Sequence, residues 1–323
     1  MLSARFKPWH IPLFIAKYAW LVARGMPVLV HFEVTERCNA RCSFCDYWKT
    51  HPSARANELS SYADAARYFN PILVTFTGGE PLLRQDLEEL VSSVSGAVRL
   101  KYIMLMTHGG MLSRERARSL WSAGVNQFNI SLDYVDGRHD RARGIPGLTE
   151  KIYGAVSAMR ADGIDGIRFN TVVKRDNLDQ IMPIIERAME LGCGVNLSVY
   201  TDAKNGNQDF VLDEPSWRNV NALTAQLLAF KRNRRGVITN SDYYLEQLPR
   251  YVRGELTEPC QSGIRTVHLN PAGHVKRCPD FPTDFHWSEF RRYEPIACNA
   301  CYYACRGEAQ APLRLSRVAD VFA

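Results

Sequence analysis

The sequence predicts an α/β fold built on a mainly parallel sheet. Two observations carry this expectation. From about residue 28, short β-rich runs alternate with amphipathic helical stretches, and the alternation stops after Tyr200. Chemistry-bearing residues also recur just past the ends of successive β-rich runs, which in a βα arrangement places them on one face.

The strand expectations are Val28–Val34, Ile72–Phe76, Lys101–Met106, Gln127–Leu132, Gly166–Val173 and Val195–Tyr200. Between them, Ser61–Phe69, Gln85–Val94, Arg114–Ala123, Glu150–Ala161 and Leu178–Leu191 are rich in Ala, Leu, Glu and Arg, with apolar residues three and four apart. Periodicity alone fits a closed or partly open barrel and an open doubly wound sheet equally. Motifs gathered at the C-terminal ends of the strands favour a partial (β/α)6 TIM-like barrel over residues 28–205.

Three further segments complete the expected organisation. Residues 1–27 form an amphipathic helical extension, and 206–250 a helical connection that includes a helix at Trp217–Lys231. Residues 251–323 are irregular and rich in Pro, Gly, aromatics and Cys, so a metal is expected to replace the missing apolar core there.

Composition narrows the function. The 323-residue chain is 46% hydrophobic and 23% charged, with a formal charge of +6. Lys and Arg form no long cluster, so a nucleic-acid partner is not expected. The apolar run Ile11–Ala23 is interrupted by Pro12 and Lys17 and is too short to span a bilayer, and no signal-peptide cleavage site is evident. A cytoplasmic protein is expected. Arg5, Lys7, Lys17 and Arg24 with Trp9, Phe14 and Trp20 would suit an interfacial helix, but a helix capping the protein's own core is the favoured reading.

Nine cysteines are many for such a chain. Three fall at Cys38, Cys42 and Cys45, one stands alone at Cys193, and five lie between 260 and 305. Two clusters in a reducing compartment point to metal rather than disulfides. Spacings of three and two residues let one loop give three thiolates to a four-iron cubane, leaving one iron open. A zinc site completed by a residue such as His51 is the alternative.

This loop resembles the CxxxCxΦC loop of the radical S-adenosylmethionine (SAM) superfamily, including the aromatic Phe44, and Glu33–Asn39 resembles the strand and turn that lead into it. The resemblance continues along the chain. Gly78-Gly79-Glu80-Pro81 is similar to the family segment that receives the SAM amine. Ser131-Leu132-Asp133 is similar to a strand end in the family, making Ser131 and Arg143 expected partners of the SAM carboxylate. Asn170 matches a position facing the ribose, and Asp133 is read as structural. Where many relatives have Thr-Asn-Gly, this chain has Thr107-His108-Gly109; His108 is expected on a surface loop, with a place at the catalytic mouth as the alternative.

The C-terminal cysteines resemble the SPASM and twitch domains of that superfamily. Val267–Asn270 and His274–Arg277 are expected to form a hairpin joining Cys260 to Cys278. Five cysteines suit the shorter twitch type with one auxiliary [4Fe–4S] cluster, held by Cys260, Cys278, Cys298 and Cys301 with Cys305 as spare or alternate, and a zinc ribbon as the alternative. Cys193 reads as a buried core residue.

The resemblance implies an enzyme that reductively cleaves SAM to a 5′-deoxyadenosyl radical, which removes a hydrogen atom from a substrate. A reducing partner such as flavodoxin or ferredoxin is implied. Peptide, small-molecule and lipid substrates all remain open, although no separate peptide-recognition domain is expected before residue 28.

Overall fold

The computed structural model describes residues 8–49, 59–256 and 258–312. Helix α1 (Ile11–Ala23) leads into an alternation of strands and helices: β1 (Leu29–Thr35), α2 (Leu59–Phe69), β2 (Leu73–Gly78), α3 (Leu87–Ala97), β3 (Tyr102–Thr107), α4 (Arg114–Ala123) and β4 (Gln127–Ser131). It continues through α5 (Arg138–Arg143), α6 (Leu148–Ala161), β5 (Ile167–Val173), α7 (Ile181–Glu190) and β6 (Gly194–Val199). After it come α8 (Trp217–Asn233), α9 (Asp242–Val252), β7 (Thr266–Leu269), β8 (His274–Lys276), β9 (Thr283–His286) and α10 (Ala304–Gln310).

The strands share one sheet in the order β6-β5-β4-β3-β2-β1-β7-β8-β9. From β1 to β6 every pairing is parallel, and the sheet does not close. This is the partial barrel that the sequence predicts. The hairpin β7–β8 also forms as predicted, with β7 joining β1 in parallel through Val30↔Val267 and Phe32↔Leu269. The cysteine-rich segment is therefore hydrogen-bonded into the barrel sheet.

Alternation along each strand separates two environments. Val30, Phe32, Val34, Val74, Phe76, Ile103, Leu105, Phe128, Ile130 and Phe169 enter one apolar core with Leu87, Leu90, Val91 and Val94 of α3, which are spaced to form one helical stripe. The intervening positions carry His31, Glu33, Thr75, Gln127, Asn129, Asn170 and Asn196. Met104 and Met106 of β3 face the same side beside Gln127 and Asn129, so the inner side of the open barrel is largely polar with an apolar patch on β3. Tyr102 donates to Gln127 at 3.1 Å, and Gln127 donates to Asn129 at 2.7 Å.

Helix α1 closes the opposite end of the barrel from the strand C-termini. Lys17 donates to the carbonyls of Pro71, Arg99 and Leu100 at 2.9, 2.7 and 3.1 Å, all just before β2 and β3. Leu21 is the fully buried residue of this helix, whereas Leu13, Ile15 and Trp20 are exposed. Capping the core therefore explains only one side of α1.

Helices α5, α9 and α10 are not foreseen from periodicity. Helix α9 begins where the Ser241 hydroxyl accepts from Tyr244 N at 3.1 Å, but Pro249 in its last turn disguises it. Just before it, the Asn240 amide accepts from Leu197 N at 2.6 Å and donates to Leu197 O at 2.9 Å. One side chain thus satisfies part of the exposed edge of β6.

Candidate active site

The predicted site residues converge at the C-terminal ends of β1, β2, β4 and β5. The loop after β1 carries Cys38, Cys42 and Cys45, with Cys42 buried and the other two partly exposed. It is clamped from two sides. Arg41 N and Ser43 N donate to the carbonyls of Arg143 and Ala142, tying the loop to the end of α5. On the other side, Gly79 N and Glu80 N donate to Thr35 O and Arg37 O at 2.8 and 2.9 Å.

That second clamp explains both glycines. A Cβ on Gly78 would stand 2.2 Å from Thr35 O, and one on Gly79 would stand 2.1 Å from Arg37 O. Gly78 also has φ of +126°, outside the range that other residues adopt readily. The turn can lie against the cysteine loop only without side chains.

Glu80 is tied into the fold. It is fully buried, and its Oε1 accepts from Leu82 N at 3.0 Å and Thr107 Oγ1 at 2.7 Å, while Oε2 accepts from His108 N at 2.8 Å. The carboxylate fastens β2 to β3. Pro81, also buried, starts a single helical turn that Glu80 caps.

His108 is buried rather than on the surface. Its Nδ1 accepts from Gly110 N at 3.0 Å, leaving Nε2–H to donate to Asn39 Oδ1 at 2.8 Å in the cysteine loop. Burial lowers its pKa, which agrees with this neutral tautomer. Sequence reasoning missed the link because Asn39 and His108 lie on separate loops.

Arg143 completes the pocket. Its Nη2 and Nε donate to Asp133 Oδ2 at 2.6 and 3.1 Å, and Nη1 lies 3.8 Å from Cys42 Sγ. Asp133 is wholly buried and also accepts from Val172 N, the structural role expected of it. The guanidinium lies 4.9 Å from the centre of the Phe44 ring, which Lys174 Nζ approaches at 4.7 Å. Ser131 ends β4 opposite Asn170 of β5, whose amide oxygen accepts from Asn196 at 2.7 Å.

The donors suit an iron–sulfur cluster. Burial pushes the Cys38 thiol up to about 11 and raises that of Cys42, an effect the nearby Arg143 opposes. A cation beside the sulfur favours the thiolate that iron needs. His51, the alternative zinc ligand, lies outside the described residues.

A second polar group lies inside the barrel below this loop. Glu33 Oε2 accepts from Lys276 Nζ at 2.6 Å, and His268 Nδ1 stands 3.6 Å from Glu33 Oε1. His31 stacks on His268 with ring centres 4.2 Å apart. Burial raises the Glu33 pKa, but His268 and Lys276 outweigh it and hold the group at about 2. The β7–β8 hairpin supplies both partners, a contact that spacing along the chain does not reveal.

The C-terminal cysteines also converge. Cys260, Cys278, Cys298, Cys301 and Cys305 line a pocket of about 180 Å³ together with Asp280. Cys305, the expected spare, is raised by burial and then by its neighbours Cys301, Cys260 and Cys278. Arg306 fixes the loop between them by donating to Cys301 O at 2.7 Å and Asn299 Oδ1 at 2.9 Å. Cys193 stays apart in the core, its thiol pushed up to about 12 by burial.

With this geometry established, residues 32–188, just under half of the chain, match the family model described as Radical SAM superfamily. Among curated proteins, the chain is 35% identical over 167 residues to a GTP 3′,8-cyclase of Marinobacter nauticus, covering 50% of each chain. It is 33% identical over 176 residues to an AdoMet-dependent heme synthase of Methanosarcina barkeri, covering 51% of this chain and 48% of that one. The chain thus spans about half the length of the curated relatives it matches. Among solved structures, Streptococcus suis SuiB bound to S-adenosylmethionine matches with a TM-score of 0.67 at 13% identity, covering 87% of this chain and 69% of that one. Native anSMEcpe with bound AdoMet matches with a TM-score of 0.62 at 17% identity, covering 81% and 78%. These likenesses concern the fold.

Proposed function

We propose that the protein is a radical SAM enzyme acting on a small polar molecule, with an auxiliary [4Fe–4S] cluster in its C-terminal segment. The observation that carries the first part is the Cys38–Cys42–Cys45 loop, clamped between the Gly78-Gly79 turn and the Arg143 end of α5. Three thiolates from one loop suit a cubane, in which each binds a different iron.

When bound, the cluster and SAM supply a 5′-deoxyadenosyl radical for hydrogen-atom abstraction. The chain's own residues orient and shield the reactants. Gly78 and Gly79 offer backbone carbonyls to the SAM amine. Ser131 and Arg143 face its carboxylate, and Asn170 its ribose. Arg143 also compensates the negative charge of the cluster. The polar lumen, with Glu33, His268 and Lys276, is the site for substrate, and its hydrogen-bonding groups support a hydrophilic small molecule. The curated relatives, a GTP 3′,8-cyclase and an AdoMet-dependent heme synthase, support the same substrate class.

For the auxiliary cluster, all five cysteines line one pocket, and the charges of Cys301, Cys260 and Cys278 act on Cys305, which supports that set of four. Cys298 then becomes the spare thiol, reversing its expected role with Cys305. A flavodoxin or ferredoxin is the proposed reductant.

Anaerobic reconstitution followed by reduction with SAM tests the reading. Iron and sulfide of about eight each per chain, with release of 5′-deoxyadenosine, are expected from two cubanes. Bound zinc without SAM cleavage would overturn it.

A further inference from the structure

We propose that the outer face of α1, with an arginine-lined cleft at its C-terminal end, docks on an anionic phospholipid membrane. Such attachment does not depend on the chemistry at the cysteine loop.

Helix α1 is apolar on both sides. Its inner side holds Leu21 and the inward-turned Lys17, the only charged residue between Ile11 and Ala23. On its outer side, Trp9, Leu13, Ile15 and Trp20 are 68%, 50%, 59% and 46% exposed, with Pro12, Ala16 and Ala19 exposed between them. These four are among nine large apolar side chains that are exposed in the described residues, so apolar surface is concentrated here rather than scattered. Water-facing helices ordinarily place charge outward. Here burial, then Lys101, holds Lys17 down at about 8 while the outer face carries no charge.

The rim indicates the occupant. No acidic residue precedes Glu33 in the sequence. The Arg24 guanidinium sits 5.1 Å from the Trp20 ring, Arg265 sits 5.8 Å from Tyr18, and Arg292 donates to Arg24 O. Beside the end of α1, a cleft of about 450 Å³ is lined by Ala23, Arg24, Met26, Tyr68, Phe290 and Arg292. Two guanidiniums over apolar walls suit a phosphate headgroup with its acyl chain alongside. Pairing two copies through this face would bring their arginines together, which disfavours self-association.

A 13-residue helix with Trp9 before its start and Trp20 near its end fits an interfacial position, not a span. No described helix is long and apolar enough to cross a membrane. Because Lys17 marks the barrel end opposite the cysteine loop, docking leaves the strand C-termini facing water.

The test is cosedimentation of the full chain, reconstituted with iron and sulfide, with phosphatidylcholine vesicles and with vesicles containing about one third phosphatidylglycerol. Stronger partitioning to the phosphatidylglycerol vesicles, weakened by salt, is expected. The pair Leu13→Glu with Ile15→Glu should weaken it on the order of tenfold or more. Should that pair misfold by circular dichroism, Arg24→Gln, at an exposed position, still tests the rim with an expected loss of about fivefold. Equal partitioning to both vesicle types overturns the proposal. So does unchanged binding by a folded Leu13→Glu/Ile15→Glu protein, or a wild-type dimer that those changes dissociate.

Discussion

Arg143 and Cys42 lie 101 residues apart in the chain, yet Nη1 of one stands 3.8 Å from Sγ of the other. The same guanidinium holds the buried Asp133 at 2.6 Å, so its position is fixed by a partner that cannot move into water. A fixed cation beside a cluster sulfur stabilises the more negative, reduced state. Replacing Arg143 by Gln is therefore expected to shift the reduction potential of the first cluster downward, as read by EPR-monitored redox titration. The change also takes the doubly hydrogen-bonded ion-pair partner from buried Asp133, at a cost of roughly 3–5 kcal/mol in unfolding free energy. An unchanged potential would separate Arg143 from the cluster and leave it only a structural role.

The C-terminal quartet allows a sharper comparison. Cys305 is half-buried, and its thiol is raised by burial and by its neighbours Cys301, Cys260 and Cys278. Cys305→Ala is expected to lose about half of the iron and sulfide, whereas Cys298→Ala retains both. Cys42→Ala should abolish SAM cleavage, while Cys301→Ala spares some cleavage but loses product. Iron analysis and 5′-deoxyadenosine release read these outcomes. If Cys298→Ala loses iron and Cys305→Ala does not, the ligand set expected from sequence is restored.

Gly79 offers a test of packing. A methyl group there meets Arg37 O at 2.1 Å, and the obstacle is backbone, not a movable side chain. Gly79→Ala is expected to push the cysteine loop away, lowering cluster content and the melting temperature together. Strain of about 1–3 kcal/mol corresponds to a drop of about 1–5 °C for a chain of this size. Gly96→Ala, inside α3 with nothing within 4 Å, is the control: it should leave cluster content unchanged and raise the melting temperature slightly rather than lower it.

These tests also mark how far the sequence can be read. Local periodicity placed β1 to β6, because strands such as Leu73–Gly78 carry their own apolar alternation. Motif resemblance placed the cysteine loop and Gly78-Gly79, whose backbone demands are written in residue type. The roles of Glu80 and His108 were not legible, since they depend on Thr107 and Asn39 approaching from other loops. Likewise, Lys276 reaches Glu33 only because β7 pairs with β1, across 243 residues. Long-range pairing leaves no local signature.

That pairing sets the acid stability of the barrel. Glu33 is held at about 2 against an ordinary 4.5, so the folded state binds its proton less readily than the unfolded chain. The resulting stabilisation is present above about pH 4.5 and fades as pH falls toward 2. Its size is about 3 kcal/mol, from about 1.4 kcal/mol for each pH unit between the folded and unfolded values. Glu33→Gln should flatten the stability profile through that window, with most of its destabilisation seen near neutral pH and little near pH 2. Denaturant unfolding across this range reads the difference between the two proteins. A parallel loss at every pH would mean that the substituted amide disrupts packing alone, and that the ion pair of Glu33 with Lys276 contributes nothing to acid stability.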